Sequence, residues 1–562
     1  MWSAARMPSG MCRVMCLMCR TPGKGRSRIW TGVLLSMCQR RSATEQEATM
    51  GLNRAVLLAA LVVACARVLS AAEYVVDQNH PRSSDTGQGT PDAPLKTISA
   101  GVAKLKPGDT LTVKAGTYAE LVRVSSGGEE GKPVVVRAAP GERVVIAGPD
   151  DARVGITWSG VGYLRIEGFE VRGTPGNGRH TGISADDGRH IEISHCVVVG
   201  TRISLNNHAD SVVKRCVQTG SSGNGITLTR ARNCVVEECE VFGNFADGIV
   251  VAWQSDGCKV LRNYVHNNWN DNHPDGLQVY RGVTNFLVEG NLFFNNGQGF
   301  MLEETDGGVF RNNIICGTHH SGMILGHQNS HNWTVEQNTF AFTAYQALSY
   351  SGKKTVVRNN IILAGGDNKV VRKAGEEMCA AERNFFWAPS GTRPVCDVPP
   401  DAETRSKWGD PKFVSAPVLG RKAVFYIDIW QHPEVRDKNT VNRLYLGGRP
   451  LTDSFKIGDH IEVNFDGVVR TVSAATEEYV EFQPPLEKMH KYPWEVVVNW
   501  GEKREFVWDL RLAPDSPARR MGTGGQDAGS SVDMRAYMRG DFDGDGKRDL
   551  PQIADEGGRT GR

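Results

Sequence analysis

An all-β fold is predicted: a right-handed, single-stranded parallel β-helix with an N-terminal capping helix and a small inserted β domain. Three features predict it. The first is a repeated phrase, Ile193-Ser194-His195-Cys196, Val213-Lys214-Arg215-Cys216, Val236-Glu237-Glu238-Cys239, Val260-Leu261-Arg262-Asn263 and Val288-Glu289-Gly290-Asn291. It continues through Phe310 to Asn313, Val335 to Asn338, Val357 to Asn360 and Ala381 to Asn384, at intervals averaging about 24 residues. The second is a Gly opening an apolar alternation between those copies: Gly225-Ile226-Thr227-Leu228, Gly248-Ile249-Val250-Val251, Gly276-Leu277-Gln278-Val279, Gly299-Phe300-Met301-Leu302 and Gly322-Met323-Ile324-Leu325. The third is composition, because 63 glycines with abundant Asn suit a chain whose frequent turns need positive φ.

Read from its start, the 562-residue chain exceeds one ordinary core, as an elongated repeat would. Residues 1–49 are Arg- and Cys-rich, their cysteines lack the spacing of a zinc module, and they read as an upstream start artefact. Residues 50–72 read as a secretory signal, with Arg54 ahead of the apolar run Ala55 to Ala64 and the small residues Ser70-Ala71-Ala72 at the end. Val62-Val63-Ala64-Cys65 offers a lipoprotein-type signal as the rival reading. No later run reaches the roughly 20 apolar residues of a membrane-spanning helix. The net charge of +2 and the lack of a basic face in the mature region argue against a nucleic-acid partner.

Residues 73–414 form the predicted solenoid. Each coil carries at least two short alternating strands that cannot bury their apolar face alone, so neighbouring coils must stack. Stacking places Asn263, Asn291, Asn313, Asn338, Asn360 and Asn384 in one file, where inward amides satisfy one another. Cys196, Cys216 and Cys239 continue that file as free buried thiols, since parallel Cβ vectors suit a bridge poorly. Cys379 and Cys396 are the better candidates for a disulfide.

The opening Asp92-Ala93-Pro94-Leu95-Lys96-Thr97-Ile98, through Pro107-Gly108-Asp109-Thr110-Leu111 and Ala115-Gly116-Thr117-Tyr118, together with the repeat, resembles the pectin-lyase-like superfamily of bacterial β-helix proteins. The resemblance spans about residues 73–412 and implies a capping helix at the opening. Leu95, Ile98, Val102 and Leu105 recur at the helical spacing such a cap needs. In many relatives Asp410-Pro411-Lys412-Phe413 runs directly into a phrase like Asp509-Leu510-Arg511-Leu512-Ala513-Pro514. Here residues 415–505 intervene as an inserted small β domain, a structural cover with carbohydrate binding as the alternative, and residues 506–530 return to the solenoid. The tail, 531–562, resembles EF-hand-type and dockerin-like calcium loops: Asp541, Asp543, Asp545 and Asp549 hold positions 1, 3, 5 and 9, Lys547 supplies a carbonyl, and Gln552 replaces the bidentate acid.

Polar residues that rise out of the repeat mark two candidate clusters. One precedes the Gly-initiated strand: Asp247, then His273 and Asp275, then Gln298, then His320. The other follows it: Trp253, Tyr280, Arg281, Glu303, Glu304 and His327. Asp247 and Asp275 stack as neighbours, which suits a calcium site or a retaining carboxylate pair. Asp275 and Glu303 stand about 17 Å apart along the strand, too far for such a pair. Arg281, Glu304 and His327 fall in one column, with a surface ion-pair ladder of little energetic weight as the alternative to a role in the site. Trp253 and Trp269 are candidate sugar platforms, with packing over the coil as the alternative. Gln278 faces the same side.

β-Elimination from a uronate polymer needs its carboxylate neutralised, by calcium or Arg281, and its α-proton removed, by Tyr280, His273, His320 or His327. The phrase His273-Pro274-Asp275-Gly276-Leu277-Gln278 resembles one that recurs in carbohydrate-active β-helices, whereas Gln298 breaks the polygalacturonase pattern. The expectation is a secreted, monomeric enzyme that binds polysaccharide and cleaves an acidic glycan as a lyase, with calcium as cofactor. Glycoside hydrolysis, uronan C5-epimerisation and non-catalytic glycan binding are the alternatives.

Overall fold

The computed structural model describes residues 71–270, 274–327, 330–350, 354–364, 371–373, 380–387, 403–419, 424–426, 438–445, 455–489 and 496–553. The expected upstream segment, residues 50–70 of the expected signal, His273, Cys379 and Cys396 lie outside them. The described chain from Ala71 onward forms one unit, a right-handed parallel β-helix. Among the described residues, no helix is long and apolar enough to cross a membrane.

Each coil carries three short strands because its alternating runs meet a turn after only a few residues. One coil contributes Val217–Thr219, Ile226–Thr229 and Val235–Glu237; the next contributes Glu240–Phe242, Ile249–Ala252 and Lys259–Leu261. The coil after them contributes Tyr264–His266, Asp275–Tyr280 and Thr284–Glu289. Equivalent strands pair in parallel and in register, as in Val217 with Glu240, Ile226 with Ile249 and Val235 with Lys259. First strands build a 13-stranded ladder; second and third strands share a 23-stranded sheet.

Register converts the sequence alternation into continuous interior files. Ile203, Ile226, Ile249, Leu277, Phe300, Met323 and Leu348 succeed one another on adjacent rungs, all with no exposure. Each such side chain gains roughly 1.5–3 kcal/mol from burial that a lone coil could not supply. The glycine opening each second strand also has a steric cause. A Cβ on Gly248 would lie 2.8 Å from the Gly276 carbonyl oxygen, and one on Gly299 only 2.2 Å from that of Gly322. Gly alone lets successive coils approach at this bend.

The Asn file forms as expected. The Nδ2 of Asn263, Asn291, Asn313, Asn338 and Asn360 each donates to the Oδ1 of the next member, at 2.9, 2.9, 3.1, 3.0 and 3.0 Å, ending at Asn384. Cys196, Cys216 and Cys239 continue it as free, buried thiols. A second interior file, unforeseen from the repeat, links Gln218, Asn244, Asn268 and Asn296. Cys234 and Cys258 form a further free, buried pair on adjacent rungs.

The helix Ile98–Val102 closes the N-terminal end. Thr97 caps it, the Glu120 carboxylate accepts from the amides of Ile98 and Ser99, and Leu95, Ile98, Val102 and Leu105 are buried beneath. Farther along, Val424–Tyr426 to Val496–Gly501 contain a six-stranded antiparallel sheet with its own core of Leu444, Ile461, Val472, Val480 and Phe482. Phe413–Ser415 pairs antiparallel with Asp509–Leu512, so the chain leaves and re-enters the solenoid at one place. This cover docks on the first strands: Phe465 and Trp508 pack edge-on against Phe294, and Asn295 Nδ2 donates to the Asn464 carbonyl. Gly317, at φ +72°, accommodates the Phe465 ring where a Cβ would lie 2.8 Å from it. The C-terminal helix Met534–Met538 follows, and Tyr537 donates its hydroxyl proton to the Gly290 carbonyl.

Candidate functional site

The outward face of the second strands is framed by the two clusters seen in the sequence, one along each edge. Between them lie two outward files: Thr227, Val250, Gln278, Met301 and Ile324, and beside it Thr229, Ala252, Tyr280, Glu303 and His327. A strand from Asp275 to Tyr280 is about 17 Å long, so the edges are separated by roughly that distance along the backbone.

At the first edge, the residues that precede the glycine file join by hydrogen bonds, and Asp275 and Gln298 are buried among them. The Asp247 amide donates to Asn224 Oδ1, the Asp275 amide donates to Asp247 Oδ1 at 2.8 Å, and Gln298 Nε2 donates to Asp275 Oδ1 at 2.8 Å. His320 Nδ1 lies 3.1 Å from Gln298 Oε1, and Gln346 Nε2 donates to Ser321 Oγ farther along. Ser321 Oγ also lies 3.1 Å from His320 Nδ1, so this ring nitrogen meets both an amide oxygen and a hydroxyl. Asn224, Ser321 and Gln346 extend this file; their position just before the glycine, or before Ala347, was the sequence signal that could have found them.

The two stacked aspartates are electrostatically frustrated. Burial, with Glu303 adding to it, pushes Asp247 up to about 6. Asp275, 3% exposed, is pushed well above the usual carboxylate range by burial first and then by the charges of Asp247 and Glu303. Glu303 pairs with Tyr280 at the far end of the strand, five positions along from Asp275, as the residue count has it. Two acids on adjacent rungs that resist joint ionisation hold a shared proton or accept a cation.

The second edge is assembled differently from the sequence expectation. Arg230, Trp253, Arg281 and Glu304 succeed one another on adjacent rungs, all in the left-handed region with φ of +51°, +59°, +62° and +50°. His327 pairs instead with Glu303, because an irregularity between Met301 and Glu303 places one more residue on the partner strand. The expected column Arg281, Glu304, His327 is therefore not formed, and among the described residues no ion pair joins Arg281 to Glu304. The Arg281 guanidinium instead lies 4.2 Å above the Trp253 ring and 5.7 Å from that of Tyr280. Trp253 remains 38% exposed. Trp269 stacks at 4.9 Å on the buried ring of His319, so packing over the coil engages one of its faces. The side chains of His273 and His327 lie outside the described residues.

In the tail, the carboxylates of Asp541, Asp543 and Asp549 converge, each offering an oxygen within 4.8 Å of the others. Asp545 turns away: its Oδ1 accepts from the Lys547 amide, and its Oδ2 lies 3.5 Å from Lys547 Nζ.

Comparison with known proteins supports the architecture. Pectate lyase PEL9 of Emericella nidulans is 28% identical over 240 residues, 38% of this chain and 51% of that one. The uncharacterized protein YwoF of Bacillus subtilis is 37% identical over 68 residues, 12% of this chain and 14% of that one. The chain thus spans about half or less of the length of these curated relatives. Among solved structures, XylC in complex with xylose aligns with a TM-score of 0.45 at 12% identity, over 76% of this chain and 100% of that one. Pectate lyase Pel9A aligns with a TM-score of 0.37 at 16% identity, over 62% and 83%. Residues 269–375 match a family described as right handed beta helix region. Over residues 78–312 the family that this sequence matches is the Pel9A-like, right handed beta helix region.

Proposed function

We propose that this protein is a secreted enzyme that cleaves an acidic polysaccharide by β-elimination, at the file Asp247, Asp275, Gln298 and His320. The observation that carries this reading is the hydrogen-bonded link from the frustrated acid pair, through the Gln298 amide, to the ring of His320. Lyase activity also fits the similarity to a pectate lyase over 38% of the chain. His320 Nε2 takes the α-proton, and Gln298 orients the ring. Two stacked carboxylates held above their usual range are a charge pattern that a divalent cation relieves, so Asp247 and Asp275 would hold calcium. When bound, calcium supplies the positive charge that offsets the substrate carboxylate. Tyr280 and Arg281 stand at the other edge, about five residues along the strand, and serve substrate binding with Gln278, Glu303, Glu304 and Trp253 rather than the same bond.

A second reading, glycoside hydrolysis, is favoured by one observation. Asp247 and Asp275 lie one rung apart, about 4.8 Å, near the separation of a retaining pair. Incubation with alginate, pectate and glycosaminoglycans, read at the absorbance of the unsaturated uronate, detects the lyase. Reducing ends without that absorbance would establish hydrolysis, and silence across the panel would leave a binding protein. The secretion assignment rests on residues 50–72. For the tail we propose a calcium ion held by Asp541, Asp543 and Asp549, a set of hard oxygen donors suited to it.

A further inference from the structure

Arginines on the two outward faces of the solenoid are treated in opposite ways. On the third strands they are paired with acids: Arg165 with Glu192, Arg215 and Arg262 with Glu238, Arg311 with Glu289 and Arg358 with Glu336. On the N-terminal half of the second-strand face, Arg123, Arg153, Arg179, Arg202 and Arg230 are all exposed. Among the described residues none of the five makes an ion pair. Arg153 and Arg179 directly precede the paired residues Val154 and His180, so two like charges stand one rung apart. Such a pairing is unfavourable by itself and becomes favourable when an anion lies across it.

These side chains also line open space. Arg123, Arg153 and Arg179 border a cavity of about 290 Å³, and Arg202 borders an adjoining one of about 250 Å³; both cavities share Gly178, Thr181 and Ser184. Acids of this stretch are engaged by neutral partners: Asp186 Oδ1 accepts from Asn206 Nδ2, and Asp150 Oδ1 accepts from Thr174 Oγ1. The cavities lie on the face that carries the candidate site. Arg123, Thr157, Ser184, Ser204, Thr227, Val250 and Gln278 form a single outward file. Six rungs separate its ends, about 29 Å.

We propose that the second-strand face from Arg123 to Arg230 is a binding track for an anionic polysaccharide, extending the site at Asp247 and Asp275 toward the N-terminal coils. The proposal rests on the reading that the substrate is an acidic glycan. Guanidinium groups remain charged at every working pH and grip carboxylates bidentately, so the track selects uronates over neutral sugars. The coiling gathers into one basic stretch arginines that are scattered along the sequence, where no basic face was evident. A face basic at its N-terminal end and acidic at the reacting end also orients the polymer. The bulk of the chain lies over the arginines, and the reacting unit reaches Asp275.

The test uses the full chain carrying Arg123→Ala, Arg153→Ala, Arg179→Ala and Arg202→Ala together, all at exposed positions. Binding to immobilised wild-type and variant protein is measured at low salt with polygalacturonate, alginate, a neutral glucan and a uronate trisaccharide too short to span six rungs. The track requires about tenfold weaker polymer binding in the variant, as four exposed charge contacts would give, with the trisaccharide unaffected. Equal polymer binding by the two proteins would overturn the track and leave the site reading standing. Parallel loss of trisaccharide binding would overturn it too, since the arginines would then act on the site or the fold. Turnover of the trisaccharide tests the lyase reading separately: weakened polymer binding without turnover by either protein supports the track and discards the lyase. Wild-type binding to the neutral glucan alone discards both.

Discussion

Two polar files run down the same solenoid, and they answer the same problem in opposite ways. The interior Asn file, from Asn263 to Asn384, is closed: each amide gives protons to the next coil and receives them from the previous one, and every member is fully buried. The edge file, from Asp247 to His320, is electrostatically frustrated, with two acids on adjacent rungs held above their ordinary range. Stacking alone therefore does not make a polar column functional. What distinguishes the second file is a deficit of compensating charge, retained at some expense to stability.

The largest effect in this comparison should come from breaking the closed file. Asn313→Leu leaves the amide and Nδ2 of Asn291 without their acceptor and the Val288 carbonyl without its donor. The loss should be about 3–5 kcal/mol, read as a lowered thermal midpoint. A midpoint equal to wild type would mean that the file is not needed for the fold. Asp275→Asn should do the reverse: the melting transition stays or rises, because a buried acid whose ionisation is opposed is gone, while turnover falls at least about 100-fold. Wild-type turnover in that variant would remove the edge file from the mechanism.

The contrast between the files also marks how far the sequence could be read. The Asn file was legible because one residue type recurs at one place in each coil, and register does the rest. The stacking of Asp247 on Asp275 was legible for the same reason, through the glycines at 248 and 276. What escaped was anything decided by side-chain direction or by a local irregularity. The interior file of Gln218, Asn244, Asn268 and Asn296 has no single repeated phrase around it. Arg281 chooses the Trp253 face over a carboxylate, and the irregularity after Met301 shifts His327 by one place, so the ladder expected there does not form.

A third buried acid sharpens the comparison at the cover. Glu462, 2% exposed, accepts from Trp500 Nε1 and the Gly467 amide, and burial, with Asp466 adding to it, pushes it up to about 7. The folded pKa is raised above the unfolded value, so this contribution is fully present below about pH 4.5 and is lost as the pH rises through 7. The difference is on the order of 3 kcal/mol at most. The cover should thus resist proteolysis better at pH 5 than at pH 8, and Glu462→Gln should flatten that dependence. A variant with the wild-type pH profile would transfer the effect to another group.

The smallest expected effect concerns the tail, where acids again crowd together but cations of the protein are already at hand. Arg215 lies 3.5 Å from Asp549 and 3.9 Å from Asp543, Arg539 lies 3.9 Å from Asp541, and Arg548 pairs with Glu240 at 2.9 Å. These pairs tie the loop to the coils whatever else it binds, so removing calcium should loosen it only locally. Chelation should speed tryptic cleavage after Arg539 or Lys547 by roughly threefold to tenfold without moving the main melting transition. Asp541→Asn should make the loop equally labile with and without chelator, because its two oxygens also accept from the amides of Gly544 and Gly546 and so set the turn itself. Identical cleavage of the wild-type tail in calcium and in chelator would show that Arg215 and its neighbours suffice to balance this cluster. The Asp247 and Asp275 pair, with its acids raised and its arginines at the opposite edge, would then be the stronger cation site of the two.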